Sequence, residues 1–261
     1  VNGEAEFENR RQQTIVLQSQ APGRDAPWQR ACRQSVRAWA RRHGYAYRFC
    51  GDELFARLPP ALRDKFRPQP VVLADLGRLL WMQEVLAEGY GRAIWCDADL
   101  VVCRDFTPRD ADHLLGREIW IQARDPGPDL QVRRQVHNAW LQFSAADSLL
   151  PFYVDRATAL LERVQAPVVP QFIGPKLLTA LHNILGFSIE ERVGMLSPLV
   201  QRDLLAGGGP ALDAFRAAHA APPCALNLCA SYVDRNSDGV CHAEADYAAL
   251  VDGLLSGSCA P

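Results

Sequence analysis

Lysine is almost missing from this 261-residue chain: of its 28 basic residues, only Lys65 and Lys176 are not arginine. That bias reads as the codon usage of a GC-rich genome, and it leaves two lysines that can be questioned one at a time. No run of like charge stands out and the net charge is −2, which argues against the basic surface a nucleic acid partner requires. Also absent is any window of about eighteen apolar residues, and the opening VNGEAEFENRRQQ is polar. Neither a membrane span nor a secretory core is therefore expected. The expected location is the cytoplasm of a bacterial-type cell, with a Golgi-luminal domain cut from its anchor as the alternative. The eight cysteines show no zinc spacing. Cys96 and Cys103 read as small buried apolar residues. Cys224, Cys229, Cys241 and Cys259 would be disulfides in an oxidising compartment and thiols in a reducing one.

The composition, 48% hydrophobic and 22% charged, predicts one α/β domain over 1–261 with a substantial core. TIVLQSQ (14–20) has the apolar run of a buried strand, and residues 27–45 have helical periodicity with Ala31, Val36 and Trp39 available to the core. Residues 45–55 form a second strand running into a polar turn, so the first fifty residues predict a β–α–β unit and a parallel sheet. A proline-bracketed excursion follows (59–70), then a helix over 71–91 closed at Gly89 or Gly91, then a strand through AIWCDADLVV. Further on, DFTPRDADHLLG predicts a turn and a short helical piece, 118–125 and 136–145 predict strands, and 148–164 a helix. Gly174-Pro175 leads into a helix ending at 185, and GGGPALDAFRAAH repeats that loop-into-helix form.

The chemistry concentrates at Asp97 and Asp99. On a strand, alternate residues face the same side, and two carboxylates aimed at one spot are costly to hold unless a cation lies between them. One enzyme plan with such letters is the haloacid-dehalogenase-like phosphatase, with Asp97 as nucleophile and a magnesium ion. That plan opens its chain with the motif and later needs an acidic pair, which is missing after Lys176. A second plan is a GT-A nucleotide-sugar transferase, where the aspartates hold a divalent metal that bridges the donor diphosphate. There the motif follows an N-terminal β–α–β unit, which is its position here. A bland alternative is a turn with no ligand, although carboxylates beside Trp95, Cys96 and Leu100 would then be poorly solvated.

Taken together, Ala74-Asp75-Leu76-Gly77-Arg78, Gly89-Tyr90 and Asp97-Ala98-Asp99 resemble the Asp-x-Asp sugar transferases. That group includes initiating mannosyltransferases, lactosylceramide galactosyltransferases and the glucosyltransferase domains of large clostridial toxins. The resemblance is strongest over 74–102, and continues through HNAW (137–140) and FIGPKLL (172–178). It implies a GT-A fold with a mixed, mostly parallel sheet, residues 14–102 forming the nucleotide-sugar half and 103–261 the acceptor half and closing segment. It implies a nucleotide-sugar donor, UDP-sugar before GDP-mannose, a glycan or other hydroxyl-bearing acceptor, Mn²⁺ or Mg²⁺, and retention of anomeric configuration. It further implies metal contact by Asp97 and Asp99, and donor contact by Asp75, Arg78, Trp95, Asp97 and Ser231. Asn138 is expected beside the reacting sugar, Lys176 near donor or acceptor, and Asn227 as a third metal ligand, with His219 and His242 as imidazole alternatives. Inversion would instead require a carboxylate base, for which Asp125, Asp203 and Glu190 are candidates.

A separate motif, DRNSDGVCHAE (234–244), has the oxygen spacing of a calcium loop at Asp234, Asn236 and Asp238. Its twelfth position is Ala245 where a bidentate glutamate belongs, and Asx-rich turns carry the same letters. Read alone, it predicts a non-enzymatic calcium-binding module.

Overall fold

The computed structural model describes residues 13–23, 25–124, 129–259 and 261. Strand β1 (Thr14–Ser19) is buried along nearly its whole length, and helix α1 (Pro27–Arg42) follows it. Trp28, Cys32, Val36, Trp39 and Ala40 make the buried stripe of α1, the spacing an amphipathic helix needs to cover one face of a sheet. Ala31 is only half-buried. Strand β2 (Ala46–Cys50) pairs parallel with β1 and runs, as expected over 45–55, into a polar turn, which winds as 3₁₀ over Asp52–Arg57. The proline-bracketed excursion contains a short helix, α2 (Pro60–Lys65).

Helix α3 (Pro70–Ala87) ends before Gly89, whose φ of 104° breaks the helical turn. It is buried almost all round, Asp75 and Arg78 included, since it packs against the sheet, the 3₁₀ turn and helix α4 (Leu149–Arg163). Strand β3 (Arg92–Cys96) then pairs parallel with the other edge of β1. The chain thus leaves β1 toward β2 on one side and returns past it to β3 on the other. The carboxyl ends of β1 and β3 border a crevice where the connections diverge, the usual ligand position in open α/β sheets.

The strand expected through AIWCDADLVV is two strands in two sheets. It breaks at Asp97, where the Leu100 N–H donates to the Asp97 carbonyl at 3.1 Å, and resumes as β4 (Leu100–Val102). Residues 103–112 contain no helix; the expected short helical piece is irregular chain running into β5 (His113–Ala123). β5 and β6 (Leu130–Ser144) form a long antiparallel ladder with a register shift between Leu115 and Gly116. Helix α5 (Pro175–Leu185) starts at the expected proline. Short strands β7 (Ile189–Glu190) and β8 (Val193–Met195), helices α6 (Pro198–Leu205) and α7 (Pro210–Ala218), strand β9 (Ala225–Asn227) and helix α8 (Glu244–Ser256) complete the chain.

The main sheet has the order β2-β1-β3-β6-β5-β7. Three of its five pairings are parallel, which agrees with the mixed, mostly parallel α/β sheet expected from the sequence. A second sheet, β4-β9-β8, packs under α6, α7 and α8. No helix among the described residues is long and apolar enough to cross a membrane. All eight cysteines are free thiols.

Candidate functional site

Asp97 and Asp99 stand where the two sheets meet, at the carboxyl end of β3 and the start of β4. The turn is held from both sides: the Asp97 N–H donates to the Ala139 carbonyl at 2.8 Å, and the Leu228 N–H donates to the Asp99 carbonyl at 3.0 Å. Buried Gln18 donates from its amide to the Asp97 carbonyl at 3.1 Å, and its own oxygen accepts from the Tyr47 hydroxyl.

Beneath Asp97 lies a polar network inside the core. The Arg78 guanidinium bridges Asp75 at 3.1 Å and Asp97 at 3.0 Å, and donates to the Asn138 carbonyl at 2.8 Å. The Asn138 amide donates to Asp75 at 2.8 Å. The Trp95 indole N–H donates to Asp97 Oδ1 at 2.7 Å, and its ring carries the Arg78 guanidinium 5.1 Å from the centroid. Burial pushes the Asp75 carboxyl up to about 6, against the opposing pull of Arg78 and Asn138. Asp75 and Arg78, expected as donor contacts, and Asn138, expected beside the reacting sugar, are each less than 10% exposed and bonded to one another beneath Asp97.

Gly174 permits this arrangement. A Cβ there would stand 2.6 Å from Asp75 Oδ2 and 2.7 Å from Asn138 Nδ2, too close for any side chain. Gly174→Ala is expected to cost about 1–3 kcal/mol, as overpacking does. Urea denaturation checks this, and a change well under 1 kcal/mol would show that the network can shift freely.

Asp99 is fixed differently. The Asn227 amide donates to its Oδ1 at 2.7 Å and the Ala230 N–H to its Oδ2 at 2.7 Å. Burial first, and the neighbouring Asp97 charge second, push the Asp99 carboxyl up to about 6. Asn227 takes the Cys229 N–H on its own oxygen at 2.9 Å. In this arrangement its amide orients Asp99, and its oxygen already accepts a bond. His219 packs on the Phe215 ring, and His242 bonds the Pro198 carbonyl at 2.9 Å; neither makes a contact with the aspartates.

The aspartates form a ridge between two clefts. One, about 340 Å³, lies over the β1–β3 crevice and is lined by Ser19, Gly51, Phe55, Ala74 and Trp95. The other, about 570 Å³, is walled by the β5–β6 ladder and includes Glu118, Trp120, Lys176, Ser231 and Tyr232. Lys176 is exposed at the first turn of α5. Glu118 has no counterpart among the residues expected from the sequence. The alternation in EIWIQ, with Ile119 and Ile121 fully buried, assigns it to the face opposite the core, but only the fold says what lies across from that face.

Among the described residues, no three His, Cys, Asp or Glu side chains are grouped to hold a metal ion. Two carboxylates do suit a hard divalent cation that takes its remaining oxygens from water and phosphate. The raised Asp99 supports the fit, because a cation there would offset the Asp97 repulsion that adds to burial in lifting it. The calcium-like segment folds as a tight hairpin, with reciprocal Ser237–Val240 backbone bonds of 2.8 and 2.9 Å and positive φ at Asp238 and Gly239. Asp238 there accepts the Ala123 N–H at 3.1 Å. Of the three carboxylates that could serve as a base, Asp203 caps α7 through the Ala211 and Leu212 N–H groups, and Glu190 is paired with Arg192 at 2.7 Å. Asp125 lies outside the described residues.

No family model and no curated protein matches the chain. Among solved structures, it is similar to a glycosyltransferase involved in the glycosylation of the major capsid of PBCV-1, at 11% identity and a TM-score of 0.45, over 92% of this chain and 98% of that one. At that level of likeness, the chemistry of the site rests on its own residues.

Proposed function

We propose that the protein is a metal-dependent glycosyltransferase that moves a sugar from a nucleotide-sugar donor to a hydroxyl-bearing acceptor. The observation that carries the reading is the position of Asp97 and Asp99: at the carboxyl end of a parallel strand, beside a topological switch, and shared by two clefts. A two-substrate reaction needs such a layout, with the bond to be broken held where both substrates meet. The nucleotide belongs in the cleft over β1 and β3, the acceptor in the cleft walled by β5 and β6.

Asp97 and Asp99 would hold Mn²⁺ or Mg²⁺, which when bound supplies positive charge to the diphosphate leaving group. The rest falls to the chain. Trp95 and Arg78 keep Asp97 in one orientation, and Arg78 adds a fixed positive charge behind it. Asn227 and the Ala230 N–H hold Asp99 with both of its oxygens engaged, so little reorganisation is needed on binding. Exposed Lys176, in the wall of the larger cleft, would meet phosphate or acceptor oxygens.

A thermal-shift titration with UDP and with GDP, each with and without Mn²⁺, tests the reading. One nucleotide is expected to raise the melting temperature only with Mn²⁺. At about 100 times its Kd, the gain is about 2.7 kcal/mol, or roughly 5–10 °C for a chain of this size. No shift with either nucleotide at millimolar concentration would sink it.

A further inference from the structure

We propose that Glu118 is the general base of the transfer, taking the proton of the acceptor hydroxyl so that the sugar passes in a single displacement with inversion. This rests on the transfer reading above and departs from the retention implied by the sequence resemblance.

Glu118 is on β5 in the wall of the larger cleft, which it shares with Asp97 and Asp99. It has one face of the strand in common with Trp120 and Gln122, and Gln135 is its cross-strand partner. Trp120 and Tyr232 lie 5.5 Å apart between ring centroids in the same cleft. Their faces are suited to the apolar C–H surface of a sugar ring, and the glutamine amides to its hydroxyls. The cleft therefore fits a carbohydrate acceptor, with Glu118 as the carboxylate in its wall besides Asp97 and Asp99.

That carboxylate is uncommitted. Among the described residues the Glu118 side chain makes no hydrogen bond or ion pair, whereas Asp203 and Glu190 are spent on structural contacts. A half-buried carboxylate with no partner costs stability, and nothing in the packing of β5 requires one, because Ile119 and Ile121 supply the core face. Desolvation alone raises its carboxyl to about 7, the range in which a carboxylate both accepts a proton readily and is substantially ionised near neutral pH.

The step balances without a further reactant. The acceptor oxygen forms the new bond to the anomeric carbon while its proton passes to Glu118. The bond from that carbon to the diphosphate oxygen breaks, and the nucleoside diphosphate leaves with the electron pair. Water entering the same cleft would follow the same course.

The test uses the full-length protein, Mn²⁺, and UDP-glucose, UDP-galactose, UDP-N-acetylglucosamine and GDP-mannose as donors, with water as acceptor. Early-time NMR reads the anomer of the released sugar before it mutarotates. The expected first product has the configuration opposite to the donor's. Glu118→Gln is expected to slow release by about 100-fold or more, the size of a lost general base, with the Mn²⁺-dependent nucleotide shift unchanged. Azide needs no deprotonation, so in Glu118→Ala it should restore donor consumption and give an inverted glycosyl azide. A structural role for Glu118 would not produce that rescue. A first-formed sugar of the donor's own configuration, or release by Glu118→Gln within threefold of wild type, would overturn the assignment while leaving transfer intact. Absence of any nucleotide shift in the wild type would overturn the transfer reading itself.

Discussion

Replacing Arg78 with methionine is expected to destabilise the protein by about 3–5 kcal/mol, the cost of removing one partner from a buried ion pair. Methionine retains much of the apolar volume, so the loss is chiefly electrostatic: Asp75 and Asp97 keep their places with no cation between them. The deficit should depend on pH. Asp75 already has its carboxyl raised to about 6, and a carboxyl raised in the folded state contributes stability that is present below its unfolded value and lost as pH rises through the folded one. Without Arg78 the charged form is worse still, so the variant should lose least near pH 5, where Asp75 can take a proton, and most near pH 8. Adding Asp75→Asn should recover much of the loss at pH 8, because an asparagine there can still accept the Asn138 amide. Urea denaturation at the two pH values measures all of this. A cost below about 1 kcal/mol at pH 8 would mean that Arg78 is not what holds Asp97 in place.

Asp99→Asn is expected to abolish the Mn²⁺-dependent nucleotide shift and to lower transfer by at least about 100-fold, beyond the 10–100-fold typical of residues that only support a ligand. The fold should survive. Asparagine matches the carboxylate in size, and it leaves one of the two donors, Asn227 or Ala230, facing an NH₂ group, a penalty of about 1–3 kcal/mol. Burial already disfavours the charge at this position, which offsets part of that penalty above pH 6. The informative comparison is therefore between melting temperatures with and without Mn²⁺ and nucleotide in the same variant. If the metal-dependent shift persisted, Asp99 would be a clamp on the Ala230 turn and nothing more.

Much of the architecture was legible because local rules and tertiary packing agree. The apolar run at 14–20, the stripe of α1 and the closure of α3 near Gly89 correspond to β1, α1 and α3. Pro175 and Pro210 mark the starts of α5 and α7, since proline lacks only an N–H that a first turn does not use. The boundaries that differed are places where the local signal has rivals. The polar letters that end the expected second strand at 51–55 fold as the turn they predict, 3₁₀ over Asp52–Arg57, whereas the stretch before β5 carries helix-like letters with no helix. The apolar continuity across AIWCDADLVV hid the break at Asp97, because β4 is as apolar as β3 but pairs with β9, more than a hundred residues away.

By itself, then, the sequence determined an α/β chain with a β–α–β start and a pair of aspartates at the end of its third strand. Those features depend on side-chain periodicity and local turn chemistry, which act over a few residues. Only the tertiary structure decided what surrounds the pair: Asp75 and Arg78 inside the core beneath Asp97, Gly174 pressed against Asp75, Asn227 steadying Asp99, and Glu118 unpartnered across the cleft. Each of these is a meeting of segments far apart in the chain, settled by which apolar faces bury one another. No spacing in a single sequence records that.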